Sequence, residues 1–291
     1  MKRAILPDRG IIKIDGPDAR TFLQGLVSND VERADGSGAI YAAFLTPQGK
    51  YLFDFFIVGD GETLFLDVAK SDVPDLVKRL TMYKLRSKAT LEDVSEEMDA
   101  AVIFGDGSDR VLTSGVDQEK RSDGAIVYID PRLPAAGVRA ILPKSADPTA
   151  LDGDIADADD YERHRIALGL PTAPHDLIRD KSILLESGFD ELHGVDWKKG
   201  CYMGQELTAR TKYRGLVKKR MVPVGIDGAV EPGTDILADG KVVGEVRSVA
   251  GDAGIAMLRL AAIRDSGGLS AGDATLSVSV PDWMQLPEEV E

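Results

Sequence analysis

Three features of the sequence predict an α+β protein that ends in a small β-barrel. Strand-length apolar runs within residues 40–68 are separated by tight turns, as in an antiparallel meander. Helical stretches flank them, with apolar residues recurring at a spacing near 3.6. Beyond Arg220 the chain breaks into brief strands divided by glycines and an Asp-Gly pair.

The elements follow in order. Residues 10–15 read as a strand, broken by Gly16-Pro17-Asp18. Pro17 suits a first helical turn and Asp18 complements the helix dipole. Phe22, Leu23, Leu26 and Val27 then share one helical face, predicting a helix over 17–27 that Ser28-Asn29-Asp30 ends. Residues 40–45 and 51–58 are strands joined by Pro47-Gln48-Gly49-Lys50, and Gly59-Asp60-Gly61 turns into a third over 63–68. Ser71 stands where it would cap a helix over 72–83 with Val73, Leu76, Val77 and Leu80 as its stripe. Residues 100–105 repeat the strand–Gly start of 11–16, a hint of a duplicated strand–helix unit. Residues 125–129 and 139–142 are strands, and 157–168 is a helix stopped by Gly169-Leu170-Pro171. Strands over 221–226, 235–237, 241–249 and 255–260 form the barrel, with Asp239-Gly240 as a hairpin turn. Trp283-Met284-Gln285 reads as a docked tail and Pro287-Glu288-Glu289 as its frayed end. The resulting units are 1–98, 99–215 and 216–291.

Composition narrows the function classes. The 291 residues carry 35 Lys+Arg against 49 Asp+Glu, a net charge of −14, which opposes general binding to nucleic acid or anionic membrane. A single cysteine excludes an intramolecular disulfide, and it excludes a zinc or iron–sulfur site built only from this chain's thiolates. No apolar run approaches the ~20 residues that span a bilayer. The first ten residues show no apolar core of a secretory signal. The expectation is a soluble cytoplasmic protein with its thiol in a reducing compartment.

The charge is uneven. Residues 197–220 hold eight basic residues and one acid, Glu206, so this stretch is +7 and the rest of the chain sums to −21. Residues 145–160 hold six aspartates and no base, and read as a solvated linker entering a helix. The basic stretch is what an anionic ligand or partner requires. It contains Lys199-Gly200-Cys201-Tyr202-Met203-Gly204-Gln205-Glu206, the most specific local pattern. A thiol becomes reactive when cations or a helix N-terminus stabilise its thiolate. Lys198 and Lys199 precede Cys201, and a short helix starts just after it. Gly200 and Gly204 permit positive φ or close approach to a ligand. The alternative is a buried structural cysteine. A Cys–His arrangement with His164, His175 or His193 has no local signature behind it.

This motif resembles the signature of the YgfZ family of folate-binding proteins, relatives of the T-protein (aminomethyltransferase) of the glycine cleavage system that include the mitochondrial Iba-type iron–sulfur assembly factors. The likeness continues through 16–26 and Ser28-Asn29-Asp30-Val31, through 45–50 and 83–88, through Arg165-Ile166-Ala167-Leu168-Gly169-Leu170-Pro171, and through Ala209-Arg210 and Arg214-Gly215. It spans nearly the whole chain. It implies a T-protein-like fold: two ferredoxin-like α/β units around a central channel, with the C-terminal barrel alongside. It also implies tetrahydrofolate or a derivative in that channel.

Glu186 resembles the pterin-facing glutamate of the T-protein, since a carboxylate accepts from the pterin amino and ring N–H groups. Read from residue types alone, it is a surface glutamate ending a strand. Tyr202, Gln205, Glu206, Arg210 and Arg214 are the further implied ligand contacts, with the cations meeting the glutamate tail. Cys201 and Lys199 are the implied catalytic pair. T-proteins carry a Gly-Gly-x-x-Asp-Asp stretch; here it is Gly49-Lys50-Tyr51-Leu52-Phe53-Asp54, and only Asp54 remains. Asp54 is then either a residual ligand or an outward-facing strand residue.

The functional expectation is a folate-binding accessory factor for assembly or repair of iron–sulfur clusters, working with assembly or target proteins. Cys201 would supply one ligand of a shared cluster. The alternatives are an aminomethyltransferase-like enzyme and a folate-binding module without chemistry. No stable nucleic-acid partner and no membrane are expected.

Overall fold

The computed structural model describes residues 1–112, 115–265 and 267–287. In chain order the first part comprises β1 (Lys2–Ile5), β2 (Arg9–Asp15), α1 (Ala19–Gln24), β3 (Ile40–Leu45), β4 (Tyr51–Asp60), β5 (Thr63–Ala69), α2 (Val73–Lys84) and β6 (Thr90–Asp93). The second comprises β7 (Met98–Phe104), β8 (Gln118–Lys120), β9 (Ile126–Ile129), β10 (Val138–Pro143), β11 (Asp154–Ile155), α3 (Ala158–Ala167) and α4 (Gln205–Tyr213). The third comprises β12 (Lys219–Asp227), β13 (Asp235–Ala238), β14 (Lys241–Ala250), β15 (Ala253–Arg259), α5 (Leu260–Asp265), β16 (Leu269–Ala271) and β17 (Ala274–Val278).

The first sheet has the order β3-β4-β5-β2-β6 and the second β11-β1-β7-β10-β9-β8. Each is apolar on both faces. In β3, Ile40, Ala42 and Phe44 meet α1 and α2, whereas Tyr41, Ala43 and Leu45 face the second sheet. Across the gap, Val102 and Phe104 of β7 and Tyr128 of β9 share that inner core, while Ala101, Ile103 and Val127 form a separate outer one. A bulge between Phe44 and Leu45 sets Tyr51 opposite Leu45 and Phe53 opposite Phe44. Beyond it, Phe53, Phe55 and Ile57 point to the helices, and Phe56 and Val58 point inward.

The last part is a closed six-stranded barrel, β12-β15-β14-β13-β16-β17, around Val222, Val224, Ile236, Val246 and Leu258. The α+β class with a terminal barrel is therefore the observed one.

Several expectations need correction. The unit 1–98 is not contiguous, because β1 crosses into the second sheet and pairs with β7. The helix expected over 17–27 is only the six residues of α1, with Gly25 already its C-cap. Ser71 does not cap α2; Asp72 holds the N-cap position. Among the described residues no strand–helix repeat follows β7, which leads to a 3-10 turn, Ser108–Arg110. The Trp283 indole does dock, donating to the Leu168 carbonyl at 2.8 Å. The reading of Glu288 and Glu289 as frayed falls outside the described residues.

Candidate functional site

Cys201 is exposed. The loop that carries it is laced to the segment after α1. Asp196 Oδ1 accepts from the backbone N–H groups of Lys198 (2.7 Å) and Lys199 (3.0 Å), an Asx turn two residues ahead of Gly200. The Asp196 N–H donates to Ser28 O, the Met203 N–H to Gly25 O, and Asn29 Nδ2 to His193 O.

The Lys199 ammonium is the central tie. It donates to the carbonyls of Gln24 (2.8 Å), the last residue of α1, where carbonyls lack helical partners, and of Val27 (2.7 Å) and Asn29 (2.7 Å) in the segment that follows. Burial pulls its pKa down to about 8, against the charges of Asp30 and Asp196. Lys199 is thus a clamp that ties the loop to the segment after α1.

Gly204 is the N-cap of α4 with φ 82°. A Cβ there would lie 2.6 Å from Thr46 O and 3.1 Å from Gly49 Cα. The close approach that this glycine allows is to the β3–β4 hairpin, not to a ligand. The Tyr202 side chain is buried beneath the loop, its ring 5.3 Å from the Lys199 ammonium. Burial pushes its hydroxyl up to about 12.

The basic stretch divides into bound and unbound cations. The Arg220 guanidinium is buried against Glu191 (2.8 Å) and the Leu185 carbonyl. Lys212 pairs with Asp190 at 2.8 Å and lies 4.1 Å over the Trp197 ring. Lys198, Arg210 and Arg214 are exposed, as is Glu206, and Gln205 is half-buried. Glu186 lies on a 3-10 turn, Leu184–Ser187, that packs on α4, not at a strand end. Burial pushes its pKa up, while the Lys218 and Lys219 backbone N–H groups and the Lys219 and Lys50 charges oppose that.

A cavity of about 630 Å³ lies elsewhere, where the two sheets meet the barrel. Asp54 lines it, on the inner face of β4 beside Phe56. Its two oxygens accept from the Tyr51 (2.7 Å) and Tyr41 (2.8 Å) hydroxyls, so it is not the outward-facing residue of the sequence alternative. Burial first, then the Asp54 charge, keeps both tyrosines protonated. Arg9, Arg132, Arg139, Arg165 and Arg247 also line the cavity. Asp67, fully buried, accepts from Arg9 (2.6 Å) and Arg139 (2.6 Å). Burial raises the cost of its charge, but the Arg139 and Arg9 guanidiniums outweigh this and hold its pKa below the usual carboxylate range. Arg132 pairs with Asp130 at 2.8 Å and covers the Phe56 ring at 4.8 Å. None of these arginines was singled out from the sequence as a site residue. Arg9 and Arg139 stand in apolar strands with their partner Asp67 far along the chain, whereas Arg132, Arg165 and Arg247 have acidic neighbours two or three residues away and read as local surface pairs.

The sequence-predicted residues therefore occupy two places. Cys201, Lys199, Tyr202, Gln205, Glu206, Arg210 and Arg214 belong to the loop and α4, and Glu186 packs beside that helix. Among them and Asp54, only Asp54 is a wall of the cavity. The volume suits a molecule of tetrahydrofolate size, while the guanidiniums that line it are already paired with Asp67, Asp130, Asp176 and Glu245. The glutamate implied as the pterin partner is not a wall, so the ligand set of the resemblance is not assembled there. Among the described residues no group of three or more His, Cys, Asp or Glu gathers to hold a metal ion.

Comparison with known proteins follows the same division of the chain. Residues 8–142 match the GCVT N-terminal domain family, and residues 218–286 match the CAF17 C-terminal beta-barrel domain family. The mouse and human proteins named iron–sulfur cluster assembly factor IBA57, mitochondrial, are each 32% identical to this chain, covering 96% of it and 84% of their own length. A Neurospora crassa IBA57 homolog is 34% identical over 228 residues, 75% of this chain, and the chain spans about half (52%) of that protein's length. Among solved structures, the glycine cleavage system aminomethyltransferase T of Bartonella henselae superposes with a TM-score of 0.77 over 97% of this chain and 86% of its own. At 14% identity that likeness shows the fold alone. The relatives carry the IBA57 name rather than YgfZ, a related family. They are also named mitochondrial, which overturns the cytoplasmic expectation.

Proposed function

We propose, for a chain that belongs to the IBA57 family of iron–sulfur cluster assembly factors, that it acts as an accessory factor by presenting Cys201 to a cluster held on a partner protein. The observation that supports this is the exposed thiol on a loop fixed from beneath by three Lys199 hydrogen bonds. A fixed, accessible thiol can lose its proton to solvent and supply one iron ligand, while the partner supplies the others. The direct test is complementation in cells lacking the chain's own gene, read out as activity of iron–sulfur enzymes. Wild type is expected to restore activity and Cys201→Ser to fail at equal protein level. Full restoration by Cys201→Ser would remove the thiol-centred mechanism.

A second reading, closer to the YgfZ resemblance, is tetrahydrofolate binding in the cavity. It is favoured by the volume and by Asp54 among five arginines. Asp54 would contact the ligand there, and when bound it would supply one-carbon carrier chemistry. Calorimetric titration with tetrahydrofolate is expected to give the same affinity for wild type and Glu186→Ala, and weaker binding for Asp54→Asn. Absence of binding by wild type at micromolar ligand rules this reading out.

A further inference from the structure

The exposed residues of α4 form a stripe. Glu206, Leu207, Arg210, Tyr213 and Arg214 are all exposed, whereas Thr208 is buried and Ala209, Thr211 and Lys212 are half-buried. The spacing of three and four residues places the exposed set along one side of the helix. Its apolar members are unusually open for their size. Tyr213 is 74% exposed and Leu207 39%, and Leu216 just beyond the helix is 45% exposed. Tyr213 stands edge-on to Trp197, with centroids 6.2 Å apart. Trp197 is held in turn by Asp190, which accepts its indole N–H at 2.7 Å and pairs with Lys212. This is an aromatic pair on a supported base, flanked by arginines, the composition that concentrates binding energy in protein interfaces.

Charge decides what covers it. Lys198, Arg210, Arg214 and Lys218 make no ion pair among the described residues, on a chain whose net charge is −14. Cys201 lies at the N-terminal end of the stripe, four residues ahead of Gln205. A thiolate-ligated iron–sulfur centre is itself anionic. We propose that this face of α4 is the docking ridge for an acidic, cluster-bearing protein, with Tyr213 and Trp197 as the apolar anchor and Arg210 and Arg214 as the steering charges. The inference rests on the cluster-assembly reading, and it adds the surface and the chemistry of the partner. The ridge would set the partner's register so that its cluster meets Cys201.

The test uses the full chain in cells where it supports iron–sulfur enzymes, with Tyr213 replaced by photoreactive p-benzoylphenylalanine. Irradiation is expected to trap a protein of low isoelectric point that carries a thiolate-ligated cluster. Trapping should fall about tenfold in an Arg210→Glu, Arg214→Glu background, the size of effect that rim charges exert on association. It should persist with Cys201→Ser, because docking precedes ligation. Trapping of RNA, of a second copy of this chain, of a basic or cluster-free protein, or of nothing overturns the ridge; so does trapping that ignores the charge reversal. Because Tyr213, Arg210 and Arg214 are exposed, circular dichroism of the variants serves as the folding control. If Cys201→Ser complements fully while trapping behaves as expected, the thiol mechanism fails and the ridge stands. If Cys201→Ser is inactive and the charge reversal is silent in both assays, the ridge fails alone.

Discussion

Lys199 and Gln24 are 175 residues apart in sequence, and the hydrogen bond between them fixes where Cys201 sits. Removing the ammonium leaves three inward carbonyls without a donor, and unpaired buried polar groups cost about 1–3 kcal/mol each. Lys199→Met is therefore expected to lower the urea midpoint by the equivalent of about 3 kcal/mol or more and to weaken complementation while leaving the thiol chemically present. An unchanged midpoint would show that the clamp contributes nothing. The motif itself was legible in the sequence, because Lys199, Cys201 and Gly204 are local. The destination of the Lys199 charge was not, because its acceptors belong to another element. Asp54 shows the same limit in another form. Both faces of β4 are apolar, so alternation could not say which side the aspartate faced until the bulge at Phe44 and Leu45 fixed the register.

Among the elements, those with strong periodicity were readable: β3, β5 and α2 lie within about a residue of where their patterns place them. α3 also agrees, with Asp157 as its N-cap accepting from the Asp160 N–H at 2.8 Å. The chain after Leu260 was not readable. β16 and β17 are three and five residues long and rich in Ser, Thr and Ala, and only barrel closure makes them strands. α4 depends on its glycine cap in a way that can be measured. Gly204→Ala imposes positive φ on a residue with a Cβ and drives that Cβ against Thr46 O and Leu45 Cβ. The expected cost exceeds about 1 kcal/mol, seen as a lower thermal midpoint together with loss of complementation. A variant as stable as wild type would mean that the hairpin and the Cys201 loop are not tightly packed.

At the scale of the whole molecule, buried ion pairs hold the two sheets and the barrel to each other. Asp67 on β5 binds Arg139 on β10, joining the two sheets. Arg165 on α3 binds Asp176 and Ser248 of β14, reaching the barrel. Since Asp67 titrates lower in the folded chain than in the unfolded one, its contribution is complete above about pH 4 and is lost as pH falls through the folded value. Stability should thus drop steeply below about pH 4, and Asp67→Asn should cost about 3–5 kcal/mol near neutrality and flatten that acid dependence. Equal acid profiles for the two proteins would contradict this. The same organisation accounts for the two separate candidate sites: the sheets and barrel enclose the arginine-lined cavity, and the Cys201 loop with α4 is left on the outside.

The claim that joins these scales is that Cys201, held by Lys199, supplies one ligand to a cluster on another protein. The most direct measurement is the visible circular dichroism of a thiolate-ligated [2Fe–2S] carrier protein mixed anaerobically with the full chain. Wild type is expected to change the cluster spectrum at one equivalent and Cys201→Ser to leave it as the carrier alone; identical spectral changes with both proteins would contradict the account.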